Sequence, residues 1–377
     1  MSVLFTANTP WLLYCAQALR VSKFLKEPGH LLIVLKGDSP FFKEAIEKIL
    51  LKELWDSVYI FEGKYLKNRF SQIVPKWKDL IIPLKGRSLI KKELQEISSI
   101  FDKIQPDFLI LGNKWHAPET FLYYHAIDRQ IEVGLYEEGL SIYQLGNYWE
   151  KGPFFSFINK CGYYYHGVEK YYGNAQKKFK CAWLSLPEIY PHSDVEEKVG
   201  LFKYIYGFEK VAKEIICNGH IEANLNLLDK NSPLILSQRL SEDGLVSKEE
   251  EREVLCKTIK YVLEFFPKVY LKMHPRDDPK KFDDLVKNIF LGKLEYFGFN
   301  EFPVEILLYR WRPPLILGFL SGTLVYSRKM FGVPAYSIID LFSKKNPGLQ
   351  IFSQVSKLCL KFDFRFLKEK KDYGFFS

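Results

Sequence analysis

The chain has 377 residues, 47% hydrophobic and 26% charged, with 54 Lys and Arg against 45 Asp and Glu for a net charge of +9. That balance excludes disorder or low-complexity polymer for the bulk of the chain. The length fits two domains of ordinary size, because single cores seldom grow past about 250–300 residues. No apolar stretch reaches the about 20 residues that cross a bilayer. The first apolar run lacks a basic leader and is broken by Asn8, Thr9 and Pro10, so no secretory signal is expected. Six Cys without a CxxC pair fit reduced thiols. The expectation is a cytoplasmic protein.

In chain order, Ser2–Ala7 reads as a strand and Pro10–Phe24 as a helix opened by proline. His30–Lys36 is a strand, Phe41–Leu54 a helix, Ser57–Glu62 a strand and Leu89–Ile104 a helix stopped before Pro106. Asp107–Leu111 is a buried-type strand and Pro118–Arg129 a helix. Glu132–Tyr136 is a strand running into Glu137-Glu138-Gly139. From about Gly146 to Lys230 the pattern is less regular, and Ser185–Glu197, with two prolines, is the expected interdomain linker. A second series follows: strand Leu234–Ser237, helix Ser247–Phe266 with a Ser247/Glu250 capping box, and strand Lys268–Met273. Helix Asp278–Ile289, strand Leu294–Phe299, helix Pro303–Tyr309, strand Pro314–Leu320, helix Gly322–Phe331 and strand Ala335–Ile339 complete it. Strands alternating with helices predict an α/β protein of two Rossmann-like, doubly wound domains facing a central cleft. The expected domains are residues 1–190 and 191–345, with a tail of 346–377.

Open α/β sheets bind ligands outside the carboxyl ends of their strands. The residues that fall there are Asn8-Thr9-Pro10, Glu137-Glu138-Gly139, His274-Pro275 and Ser321-Gly322-Thr323. A carboxylate before a glycine that lets the chain turn is suited to taking a proton from a hydroxyl; the alternative is a solvated acidic turn. His274, its backbone restricted by Pro275 and with Arg276 adding positive charge, is suited to donating to a phosphate oxygen. The alternative is a structural histidine. Ser321-Gly322-Thr323 offers main-chain N–H groups, hydroxyls and a helix dipole to an anion, or else a plain N-cap. Glu305, early in a helix, reads either as an acceptor for ribose hydroxyls or as helix-start electrostatics.

Other chemistries find no motif. There is no GxGxxG after a strand, no GxxxxGK[ST], no HExxH and no Asp-x-Asp of the kind that chelates a metal for a nucleotide diphosphate. No metal site is expected. Basic residues are spread along the chain, denser at Lys177–Lys180 and Lys368–Lys371, and no nucleic-acid-binding motif accompanies them.

Taken in order, the segments resemble the bacterial sialyltransferases of GT-B fold, above all the lipooligosaccharide sialyltransferases of glycosyltransferase family 52 and the capsular polysialyltransferases. The likeness rests on Ala7-Asn8-Thr9-Pro10-Trp11, Glu137-Glu138-Gly139, Met273-His274-Pro275-Arg276 and Ser321-Gly322-Thr323, with support from Leu236–Gly244 and Phe302–Glu305. It spans most of residues 1–340 and departs at Gly322, where the family usually has a second Ser. The resemblance implies an inverting, metal-independent transfer of sialic acid from CMP-sialic acid to a hydroxyl of a cell-surface glycan, lipooligosaccharide or capsule, without a cofactor. Glu137 would be the general base, with Glu138 the second candidate, and His274 the general acid. Ser321, Gly322 and Thr323 would bind the phosphate, Glu305 the ribose, and Gln238 and Pro275 would belong to the nucleotide site. Asn8, Thr9, Gly139 and Arg276 would lie on the substrate side.

Rival readings are transfer of another CMP-activated keto sugar such as Kdo, and a non-catalytic glycan- or nucleotide-binding protein on the same scaffold. A coincidental match on an unrelated α/β protein is the third. In the tail, Lys361–Phe366 alternates, and Lys368–Lys371 and Phe375-Phe376 follow. This reads as an edge strand, or else as a contact with anionic membrane at the inner face of the cytoplasmic membrane.

Overall fold

The computed structural model describes residues 1–36, 40–63, 83–143, 177–278 and 280–342. The expected tail lies outside the described residues. Two compact units divide at Val211–Ala212, with Gly139–Gln144 counted to the second.

The first unit begins with β1 (Val3–Ala7), buried at every position, and α1 (Pro10–Lys23). The Thr9 hydroxyl accepts from Leu12 N–H at 3.2 Å and Pro10 occupies the first turn, which sets the helix start. β2 (Gly29–Lys36), α2 (Pro40–Ile49), β3 (Ser57–Gly63), α3 (Pro83–Ile104), β4 (Phe108–Leu111), α4 (Ala117–Ile127) and β5 (Glu132–Tyr136) follow. The expected elements here are all present, with ends shifted by a few residues. β6 (Phe179–Leu184) and β7 (Val195–Gly200) complete a seven-stranded sheet of order β3-β2-β1-β4-β5-β6-β7, and α5 (Ile205–Asn218) leads out of it. Every pairing is parallel. Strands covered on both faces read as continuous apolar runs, as Val3–Ala7 and Phe108–Leu111 do.

Two expectations fail in this unit. Ser185–Glu197 is not an interdomain linker but the crossover from β6 to β7, with a 3-10 turn at Pro187–Ile189. The first sheet therefore runs past residue 190. The sequence hides β7 because an edge strand carries charge. Only Val195 and Val199 are buried, while Glu196, Glu197 and Lys198 are exposed. Lys180 pairs across strands with Glu196 at 3.2 Å and Glu132 at 3.5 Å.

The second unit contains α6 (Glu222–Asn226), β8 (Leu234–Leu236), α7 (Lys248–Val262), β9 (Val269–Lys272), β10 (Leu294–Tyr296), α8 (Val304–Leu307), β11 (Ile316–Gly318), α9 (Gly322–Phe331) and β12 (Ala335–Ser337). Its parallel sheet has the order β10-β9-β8-β11-β12. Ser247 caps α7, accepting from Glu250 N–H at 3.0 Å. The helix expected over Asp278–Ile289 is reduced to a π turn, Leu285–Ile289. There Phe290 N–H reaches back five residues to the Leu285 carbonyl at 2.9 Å. Phe290 packs into the core with Phe282 and Leu285. Among the described residues no helix is long and apolar enough to cross a membrane.

Candidate functional site

In the first sheet the strand order reverses between β1 and β4, the position where such sheets open a crevice. Here it is filled by Glu119, a fully buried carboxylate on α4. Its Oε1 accepts from Thr6 Oγ1 at 2.6 Å, Asn113 N–H at 3.0 Å and Gly112 N–H at 3.2 Å. Its Oε2 accepts from Asn8 Nδ2 at 2.8 Å and lies 3.2 Å from His116 Nδ1. Asn8 is thus buried in a structural network and Thr9 is a helix cap, so their side chains fasten the turn.

The next strand outward is β5, and the two carboxylates after it point to different surroundings. Glu137 extends the ladder, its N–H bonded to Trp183 O at 3.1 Å, and is fully buried. Ser185 N–H donates to Glu137 Oε2 at 2.6 Å, and Ser185 Oγ lies 2.8 and 2.6 Å from the two carboxylate oxygens. Glu138, on the opposite side of the strand, is half-buried. Burial first, then the charges of Glu119, Cys15 and Glu138, push the Tyr136 hydroxyl well above its ordinary pKa. Gly139 follows at φ +145°, a conformation that side chains rarely adopt and that lets the chain turn away at once.

In the second sheet β8 lies between β9 and β11, so the loops after these three strands are neighbours. The His274 backbone N–H donates to Ser237 Oγ at 2.7 Å and to Asp277 Oδ2 at 3.2 Å; Ser237 Oγ donates to Asp277 Oδ2 at 2.7 Å. Lys281 sits behind, 3.9 Å from Asp277 Oδ1 and 2.9 Å from the buried Glu251. Arg276 N–H donates to His274 Nδ1 at 3.2 Å. A neutral imidazole held this way carries its proton on Nε2. Burial first, then the charges of Arg276, Arg239 and Lys281, lower the imidazole pKa to about 4. Without an anion beside it the group is therefore neutral imidazole, with Nε2–H as a hydrogen-bond donor.

Ser321 caps α9, its hydroxyl accepting from Thr323 N–H at 3.2 Å. Thr323 also hydrogen-bonds to Glu305, whose pKa burial raises, so these two candidates are brought together. Beneath them Lys272 donates to Phe299 O at 2.8 Å and is lowered to about 7 by burial. A Cβ on Gly322 would stand 2.9 Å from the buried Tyr326 ring, which explains why serine is missing there. Gln238 turns out to be structural: its Nε2 donates to the Leu320 carbonyl, and its Oε1 accepts from Leu320 N–H at 2.6 Å. Pro275 and Arg276 flank the imidazole, Pro275 half-buried and Arg276 exposed.

A family model for alpha-2,8-polysialyltransferases matches residues 4–339. The chain belongs to that family. No curated protein sequence matches it. Its structure is similar to UDP-GlcNAc 2-epimerase from Neisseria meningitidis bound to UDP-GlcNAc, at 12% identity and a TM-score of 0.54 over 98% of this chain and 99% of that one. It is similar to the Methanocaldococcus jannaschii UDP-GlcNAc 2-epimerase in complex with UDP-GlcNAc and UDP, at 13% identity and a TM-score of 0.53 over 97% and 94%. An alpha/beta-galactoside alpha-2,3-sialyltransferase from Photobacterium phosphoreum matches at 10% identity and a TM-score of 0.47, over 96% and 97%. The epimerase likenesses speak to the fold alone. It is two Rossmann-like domains of the GT-B type.

For this polysialyltransferase-family chain, a sialic-acid glycosyltransferase by family, three supporting groups escaped the sequence reading. Glu119 sits inside a helix with no local motif. Ser185 lies 48 residues from the carboxylate it holds. The Ser237–Asp277 pair joins two strand ends. Asp277 is buried, and burial raises its pKa.

Proposed function

We propose that this chain transfers sialic acid from CMP-sialic acid to a glycan hydroxyl by a single inverting displacement without a metal. The observation that carries the reading is the fixed tautomer of His274, which leaves an Nε2–H to meet the leaving phosphate. CMP departs as a phosphate monoester whose second pKa is about 6, so near neutrality it needs a hydrogen-bond donor rather than a full proton. The Ser321 and Thr323 hydroxyls and the N-terminus of α9 add donors and dipole at the same anion. Glu305, joined to Thr323, accepts from the ribose.

Glu138 takes the base role in preference to Glu137, whose carboxylate is enclosed and held by Ser185. In the step, the acceptor oxygen forms its bond to the anomeric carbon and gives its proton to Glu138. The bond from that carbon to the phosphate oxygen breaks, and its electron pair leaves with CMP. Glu137 sets the position of the next residue along the chain.

The test is CMP release from CMP-sialic acid in EDTA, with and without galactose-terminated and sialylated acceptors. Acceptor-stimulated release is expected. It should fall about 10²–10³-fold in His274→Ala, the scale for losing one transition-state donor. It should fall about 10²–10⁴-fold in Glu138→Gln. Full activity in both variants, or release only with added divalent metal, rejects the reading.

A further inference from the structure

Beside His274 lies a cavity of about 200 Å³ whose walls include Arg239, Asp243, His274 and Arg276. That is below the roughly 300–1,000 Å³ of pockets that enclose drug-sized ligands, a size suited to one part of a larger ligand. Its chemistry is cationic. Arg239 Nη1 donates to the Arg276 carbonyl, which fixes one arm of the guanidinium. Arg239 Nε is buried without a hydrogen-bond partner, and its nearest carboxylate oxygen, Asp243 Oδ1, is 3.6 Å away. Among the described residues the Arg276 guanidinium forms no ion pair, because Asp243 and Asp277 are paired with Arg239 and Lys281. A buried Nε–H that the Asp243 carboxylate faces without a hydrogen bond, and a second guanidinium without an ion pair, line one pocket, and together they suit an anion with two oxygens.

We propose that this cavity is a second anion subsite, in which Arg239 and Arg276 hold the carboxylate of a keto-sugar donor. The inference rests on the donor reading given above. In such donors the carboxylate and the phosphate-bearing oxygen sit on the same anomeric carbon, so a carboxylate subsite has to adjoin the phosphate subsite. The topology supplies that adjacency: Arg239 follows β8, between the loop carrying His274 and the turn carrying Ser321, and Gln238 is fastened to Leu320. Planar guanidinium forks match a carboxylate in two parallel bonds, which lysine would not do. The cationic surroundings that depress the His274 pKa are those that draw in the second negative charge. The subsite also selects. An aldose donor has hydrogen at that carbon and would give the two guanidiniums no carboxylate to hold, a ground for rejection.

Calorimetric titration separates the two anions. Wild type, Arg239→Gln and Arg276→Gln are titrated with CMP and with a hydrolysis-resistant 3-fluoro analogue of CMP-sialic acid. Each variant is expected to lose about 10–100-fold in affinity for the analogue, the scale of one charge-assisted pair. Affinity for CMP should stay within about threefold. Arg276 is exposed, so Arg276→Gln keeps the fold even if the Arg239 variant does not. Equal losses for both ligands would mean that the arginines hold the phosphate and would overturn the subsite, as would no loss for either. Wild type that binds neither ligand overturns the donor reading itself.

Discussion

Replacing Glu137 by alanine separates support from chemistry. The carboxylate is fully buried and takes a 2.6 Å bond from Ser185 N–H together with the Ser185 hydroxyl. Charge-assisted bonds of this kind contribute about 1.5–3 kcal/mol each, and the truncation takes the carboxylate acceptor away from both Ser185 groups. The expected loss is about 3–5 kcal/mol of stability. At about 2–4 °C per kcal/mol for a unit of this size, the melting temperature should fall by roughly 10 °C. Glu137→Gln should recover much of it, because its amide oxygen accepts from Ser185 N–H and its NH₂ donates to the hydroxyl. Thermal denaturation and transfer activity are measured on the same preparations, with Glu138→Gln alongside. Glu138→Gln is expected to melt like wild type and lose about 10²–10⁴-fold in transfer. A Glu137→Ala protein that melts like wild type yet has lost all transfer would refute the argument and restore Glu137 as the base.

Protonation of His274 makes stability depend on pH. The unfolded chain binds this proton below about 6.5 and the folded chain only near 4, so stability falls as pH drops through that window. The span corresponds to about 3 kcal/mol, and His274→Gln should flatten the denaturation-against-pH curve between those values. Asp277→Asn should leave CMP affinity within a few-fold but lower turnover, since it frees the backbone that aims the imidazole; unchanged turnover would deny it a positioning role. Gly322→Ala should cost about 1–3 kcal/mol through overlap with Tyr326, and Tyr326→Leu should suppress most of that cost in a double-mutant cycle.

The strands after which the site residues fall were legible because parallel sheets covered on both faces leave unbroken apolar runs, and the helix over Gly322–Phe331 was bounded as observed. The chemistry-bearing types were legible too, as motifs at strand ends. What neighbouring strands do to one another was hidden. The choice between Glu137 and Glu138 depends on Ser185, which a loop on the adjacent strand delivers, and residues with the same letter differ only in which face they take. His274 could be read as a ligand for phosphate. Its charge state could not, because Arg239 and Lys281 come from separate loops. Edge strand β7 was missed for the reason edges exist, that their outward side chains are charged and blur the apolar alternation.

The Gln238 side chain has the reach and polarity of one more strand residue, bridging β8 to the Leu320 main chain in both directions. Among the common side chains only glutamine both donates and accepts at that distance. Glutamate would set a negative oxygen against the Leu320 carbonyl, and asparagine would fall short by a methylene. The position is therefore closed to charge and to shortening, and divergence in what this pocket recognises falls to Arg239 and Arg276.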